Sequence, residues 1–231
     1  MVHAALLARL AAPYPFAVGE SLRYEARLGM VPIGSASMSV SRVARERGTE
    51  AFVFAANGEG HPLGFRVGAE LTSWVGTGRF NSLRFHRRVF QGSSVDEAQY
   101  HIIPDSSRYR EDGVPQDWVA PSNPLDELAF LYYLRTVPLK PGATYQIPRY
   151  FKTGYNPIQV RVTGREPCAL PNGSSTSCLA VAVSSRGETM RVWFTDDKQR
   201  LPAQLELPLP FGSVTLSLVE AGQRDGGEAG R

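Results

Sequence analysis

"GSASMSVSRV", residues 34–43, decides the fold class. Ala36, Met38 and Val40 fall on one side of an extended chain, and Ser35, Ser37, Ser39 and Ser41 on the other. Successive side chains of a strand point to opposite faces, so this alternation reads as a strand that is dry on one face and wet on the other. "EAFVFAANG" carries Phe52 and Phe54 in step, and "AELTSWVGTG" follows the turn-like "NGEGHPLG". Beyond the midpoint "IQVRVTGRE", "CLAVAVSS", "TMRVWFTDD" and "GSVTLSLVE" alternate and end in turn residues. Short strands at such spacing predict an all-β protein whose antiparallel sheet curls or closes, as in an open barrel. Pro202, Pro208 and Pro210, around "AQLELPLP", suit edge strands and bulges.

"SNPLDELAFLYYLRTVPLKPG", from Ser122, breaks the alternation. Asn123 can cap a helix that begins at Pro124, with Asp126 and Glu127 in the first turn, where the helix dipole favours negative charge. Leu128, Leu131 and Leu134 recur at helical spacing, and Pro138 with the following Lys-Pro-Gly ends the pattern. One helix near 124–135 is therefore expected, plugging an open side of the sheet with Leu131, Tyr132 and Tyr133 as core.

With 231 residues and 42% apolar content the chain can bury a sizeable core. We expect a single β-rich domain over 14–220. Residues 1–13 form a leader remnant or docking segment, and the small, polar, glycine-rich residues 221–231 a flexible tail. The first segment, "MVHAALLARLAAP", has no basic residue ahead of its apolar run, and Arg9 interrupts that run. As an amphipathic helix it would place Leu6, Leu7 and Leu10 on one face, making them candidates for docking on a membrane surface or a partner. No run approaches the ~18 apolar residues of a membrane span.

The residues offer little chemistry. The formal charge of +3 comes from scattered arginines, which argues against a nucleic-acid partner, and "RFHRRVF" from Arg84 reads as a solvated strand face. His3, His61, His86 and His101 are dispersed, with neither His-x-x-x-His nor Cys-x-x-Cys, so no metal or other cofactor is expected. No Gly-x-Ser-x-Gly elbow or phosphate loop occurs, and Asp196 and Asp197 belong to the turn-like "TDDKQRLP".

Cys168 and Cys178 are the only cysteines and flank the turn residues of "CALPNGSSTSC". A two-residue Asn172-Gly173 turn would put them on opposite faces of a hairpin. A loop of three or five residues centred on Gly173 would set them directly opposite each other, where a disulfide fits. A disulfide implies an oxidising compartment.

Four stretches taken in order resemble the bacterial family called domain of unknown function 3108. They are "YPFAVGESLRYEARLGMVPIGSASMSV" from Tyr14, "LDELAFLYYLRTVPLKPGATY" from Leu125, "VRVTGRE" from Val160 and "VWFTDDKQRLPAQLELPLPFGSVTLSL" from Val192. The resemblance implies a curled antiparallel sheet of the spiral β-roll kind and export through a leader placed just before the Pro-Phe segment. It implies no activity, cofactor or catalytic residue.

A rolled sheet offers a concave apolar face and long exposed strand edges, both of them binding devices. The expectation is a non-enzymatic periplasmic protein that binds or scaffolds, as an accessory subunit with a protein partner in or at a membrane complex. The alternatives are a carrier of a lipophilic ligand in the roll interior, and a cell-envelope hydrolase using His86 or His101 with an acidic partner.

Overall fold

The computed structural model describes residues 14–209 and 212–223. Eight strands come first: β1 (Glu20–Leu28), β2 (Val31–Glu46), β3 (Thr49–Gly60), β4 (Val67–Gly76), β5 (Ser82–Gln91), β6 (Ser94–Ile103), β7 (Arg108–Glu111) and β8 (Asp117–Val119). Helix α1 (Glu127–Leu134) follows, then β9 (Thr144–Ile147), β10 (Ile158–Ala169), β11 (Ser175–Ser185), β12 (Glu188–Thr195), β13 (Pro202–Leu209) and β14 (Gly212–Gln223).

All 14 strands form one antiparallel sheet in the order β8-β7-β6-β5-β4-β3-β2-β1-β14-β13-β12-β11-β10-β9, not closed into a barrel. Every neighbour in space is a neighbour in sequence except β1 and β14, the first and last strands, which pair mid-sheet from Glu20↔Gln223 to Leu28↔Val214. The alternation read at Ala36, Met38 and Val40 holds: Met38 and Val40 are buried in the core, and Ala36 packs against it.

The sheet curls around α1. Leu22 and Tyr24 of β1, Phe54 of β3, Val75 of β4, Val160 of β10, Phe194 of β12 and Leu218 of β14 share one core cluster with Leu128, Leu131, Tyr132 and Leu134 of the helix. Tyr132 stacks on Phe54 with ring centroids 4.1 Å apart. Rather than plugging one open side with a single stripe, α1 is wrapped: every residue except Glu127 and Tyr133 is buried. A second cluster closes the gap between the sheet's ends. Phe151, which follows β9, inserts between Phe85 of β5, Tyr100 of β6 and Tyr109 of β7. Leu125 makes a parallel bridge to Tyr150 beside it.

Three expectations change. The helix starts at Glu127 and not at Pro124, because Asp126 is the residue whose side chain accepts a cap hydrogen bond, from Ala129 N, while Leu125 is committed to its bridge. Ala221, Gly222 and Gln223, expected in the tail, belong to β14 and pair with Leu22, Ser21 and Glu20, and residues 224–231 lie outside the described residues. β13 is a central strand despite its prolines. Pro202 is its first residue, beside the bulge at Trp193/Phe194, and Pro208 sits next to the hairpin end, where a missing N–H is tolerated. The expected exposed edges are present: β7 pairs β6 only over Tyr100–Ile103 and β9 pairs β10 only over Ile158–Arg161, so the rest of β6 and of β10 has one side without a partner strand.

Candidate functional site

The hairpin of β10 and β11 carries the two cysteines. Leu170 accepts from Gly173 N and donates to Ser174 O, so Pro171, Asn172 and Gly173 form the loop. Pro171 supplies the fixed φ of the first turn position and Gly173 the positive φ, +78°, that follows. The hairpin is thus centred on Asn172, one residue before the expected Gly173. Cys168 faces Thr176 and Cys178 faces Glu166, which makes the cysteines diagonal neighbours on one face rather than directly opposed. Their Cα atoms are 5.9 Å apart and they form a disulfide, buried against Ala203 and Trp193.

The two histidines lie on the outer face of β5 and β6. Thr72, His86 and Gln99 line up across β4, β5 and β6, and Trp74, Arg84, His101 and Arg110 across β4 to β7. His86 Nε2 is 2.9 Å from Glu97 Oε1, and His101 Nε2 is 2.9 Å from Asp112 Oδ1. Asp112 also accepts from Gln99 Nε2 at 2.6 Å, and Gln99 Oε1 accepts from Arg84 Nη2 at 2.7 Å. The Arg84 guanidinium lies over the Trp74 ring at 4.5 Å. Each histidine therefore has an acidic partner, but on a sheet face. Among the described residues no serine or threonine hydroxyl hydrogen-bonds to either imidazole. Nor does any group of three or more His, Cys, Asp or Glu side chains there have the arrangement of a metal site. Asp196 and Asp197 serve a turn: Asp197 Oδ1 accepts from Gln199 N, Arg200 N and Thr195 Oγ1, while Asp196 pairs with Arg165.

Three polar knots, two interior and one at the seam, were not foreseen. Asp126 is fully buried, and its carboxylate accepts from Ser73 Oγ at 2.5 Å, Ser82 Oγ at 2.7 Å and Ala129 N at 2.9 Å. Burial pushes its carboxyl up to about 7, against the pull of those three donors. Arg135, just after α1, is buried and bidentate to Glu20 at 2.6 and 2.8 Å. It also donates to Gln199 O and Pro15 O. At the seam Tyr150 donates to Glu127 Oε1 at 2.6 Å, and Lys152 Nζ donates to Tyr100 at 2.9 Å. Burial, reinforced by Glu127, raises the Tyr150 phenol above its ordinary value. Asp126 was visible as a first-turn acid. Nothing in the local pattern paired Glu20 with Arg135 across 115 positions.

Leu6, Leu7 and Leu10 lie outside the described residues. Among the described residues no helix is long and apolar enough to cross a membrane.

The profile of the family described as Protein of unknown function (DUF3108) matches residues 23–219, and the chain belongs to that family. No curated protein matches the sequence. Among solved structures, the chain is similar to a β-barrel-like protein of domain of unknown function DUF1849 from Brucella abortus, with TM-score 0.59 and 9% identity over 90% of this chain and 98% of that one. It also aligns with a "putative lipoprotein" from Parabacteroides distasonis, with TM-score 0.36 and 11% identity over 91% of this chain and 98% of that one. A "putative exported protein with YmcC-like fold" from Bacteroides fragilis aligns with TM-score 0.37 and 12% identity over the same shares. The first likeness supports the curled, barrel-like sheet.

Proposed function

We propose that this DUF3108 protein is a non-enzymatic binding or scaffolding protein that works outside the cytoplasm and meets its partner on its outer surface. The observation that carries this reading is the filled roll: α1 and the side chains around it occupy the concave side of the sheet. A carrier of a lipophilic ligand needs that space empty, so the carrier alternative loses its support. With the interior filled, the outer face, the hairpin tips and the edges of β6 and β10 that β7 and β9 leave uncovered remain for recognition, and we favour the outer face. The disulfide supports an oxidising compartment, and the periplasm, at the face of a membrane complex, is the compartment we favour.

The hydrolase alternative retains two histidine–carboxylate pairs at 2.9 Å. General acid–base work also requires a nucleophile or substrate atom held away from water, and the carboxylate partners Glu97 and Asp112 are more than half exposed on the outer face.

The test uses the full chain in its native host. Photo-crosslinkers placed at Thr72 and at Arg88, on the outer face, should trap one discrete envelope protein, and thiol labelling should find Cys168 and Cys178 oxidised. Reduced cysteines with a wholly cytoplasmic distribution, or crosslinking to no partner from either position, would sink the reading.

A further inference from the structure

Four of the five large apolar side chains that are more than half exposed among the described residues gather at one end of the roll: Met30 at 89%, Phe65 at 66%, Val31 at 63% and Val95 at 51%, with Val119 elsewhere. Strand register puts them there. One row of paired residues runs across six strands as Ala26↔Gly34↔Gly60↔Val67↔Gln91↔Ser94. Met30 and Val31 lie beyond that row on the β1–β2 tip and Phe65 beyond it on the β3–β4 tip. Val95 lies one pair inside it, at the β5–β6 tip. Alternate hairpin tips stand roughly 10 Å apart, two strand spacings.

We propose that this rim of hairpin tips is a lipid-contacting surface, inserted into the interfacial layer of a bilayer. The side chains are carried on projecting tips rather than around a groove. A protein partner would have to offer a separate, correctly spaced pocket to each tip, whereas a bilayer accepts apolar tips at any spacing. The backbone at the tips is also prepared for a dry setting. His61 N donates to Ile33 O, Phe65 N to Pro62 O and Gly92 N to Arg66 O, so these N–H groups carry no unpaid demand for water. The charges just behind the tips are neutralised in place. Arg66 is bidentate to Glu59 at 2.9 and 3.2 Å and covers the Phe90 ring, and Arg27 pairs with Glu25 at 2.8 Å. With those pairs closed, apolar burial rather than attraction to anionic headgroups drives the contact. The surface goes beyond the scaffold reading and does not depend on it, since vesicle binding is read without any protein partner.

The experiment is flotation of the purified, oxidised full chain with vesicles of phosphatidylcholine, alone or mixed with phosphatidylglycerol. The expected result is binding to both, retained at about 0.5 M salt, where surface charge is screened. The double variant Met30→Ser/Phe65→Ser, with an unchanged melting curve, should bind about tenfold more weakly or worse. A tryptophan in place of Phe65 should shift to the blue on vesicles and be quenched by brominated lipid, while one in place of Val43, near the opposite end of β2, should do neither. Absence of wild-type binding overturns the proposal, as does binding that the double variant leaves intact, which would implicate another segment. Binding abolished by salt also overturns it, and so does a variant that loses a protein partner when the wild type ignores vesicles.

Discussion

Asp126 is the residue at which local reading and packing part company. Its place before a run of helix formers marks a helix start. That it also holds Ser73 and Ser82 in the interior depends on two strands more than 40 positions away. Folding removes this carboxyl from water, so its proton is held to about pH 7 in the native state, against an ordinary value of 3.8. Between those limits the folded chain binds more protons than the unfolded one, so this group makes stability fall as pH rises from about 4 to about 7 and leaves it level above that. The effect is on the order of a few kcal/mol. Asp126→Asn removes the titration. The difference in urea midpoint between wild type and variant, followed from about pH 5 to about pH 8, should move against the wild type. A constant or opposite difference would show that Asp126 is not the buried acid described here.

At the level of elements, alternation located the strands because a half-wet sheet imposes a period of two on the residues themselves. Turn geometry was less legible. The pair Asn172-Gly173 left a two-residue turn open, and opposed cysteines asked for a loop centred on Gly173, but Pro171 takes the first turn position and moves the centre to Asn172. The cysteines still share a face, since their registry is shifted by two and not by one. The bond closes a separation of 10 residues, so losing it should cost about 3 kcal/mol through the unfolded chain. Replacing both cysteines by serine should lower the denaturation midpoint and abolish its response to reductant. A wild-type midpoint indifferent to reductant would count decisively against a stabilising bridge.

On the scale of the whole molecule, Arg135 ties three distant pieces together: Pro15 and Glu20 at the start of the domain, the end of α1, and the β12–β13 turn at Gln199. Arg135→Ala leaves the Glu20 carboxylate without its partner and should destabilise the fold by about 3–5 kcal/mol. Arg135→Lys keeps the charge without the bidentate fork and should fall between alanine and wild type. Equilibrium unfolding of the two variants checks the order, and a lysine variant as weak as alanine would mean that the fork itself carries the whole contribution.

The sequence by itself determined the all-β class, a helix between two runs of strands, the β10–β11 hairpin and the family, because each is written in local periodicity, turn chemistry or ordered motifs. Only tertiary structure decided that β1 and β14 pair in the middle of the sheet, that Phe151 bridges its two ends, and that α1 fills the roll. It also brought Met30, Phe65 and Val95 to one rim. These are contacts between residues far apart along the chain, and a pattern with a period of two or 3.6 residues carries no record of which faces meet.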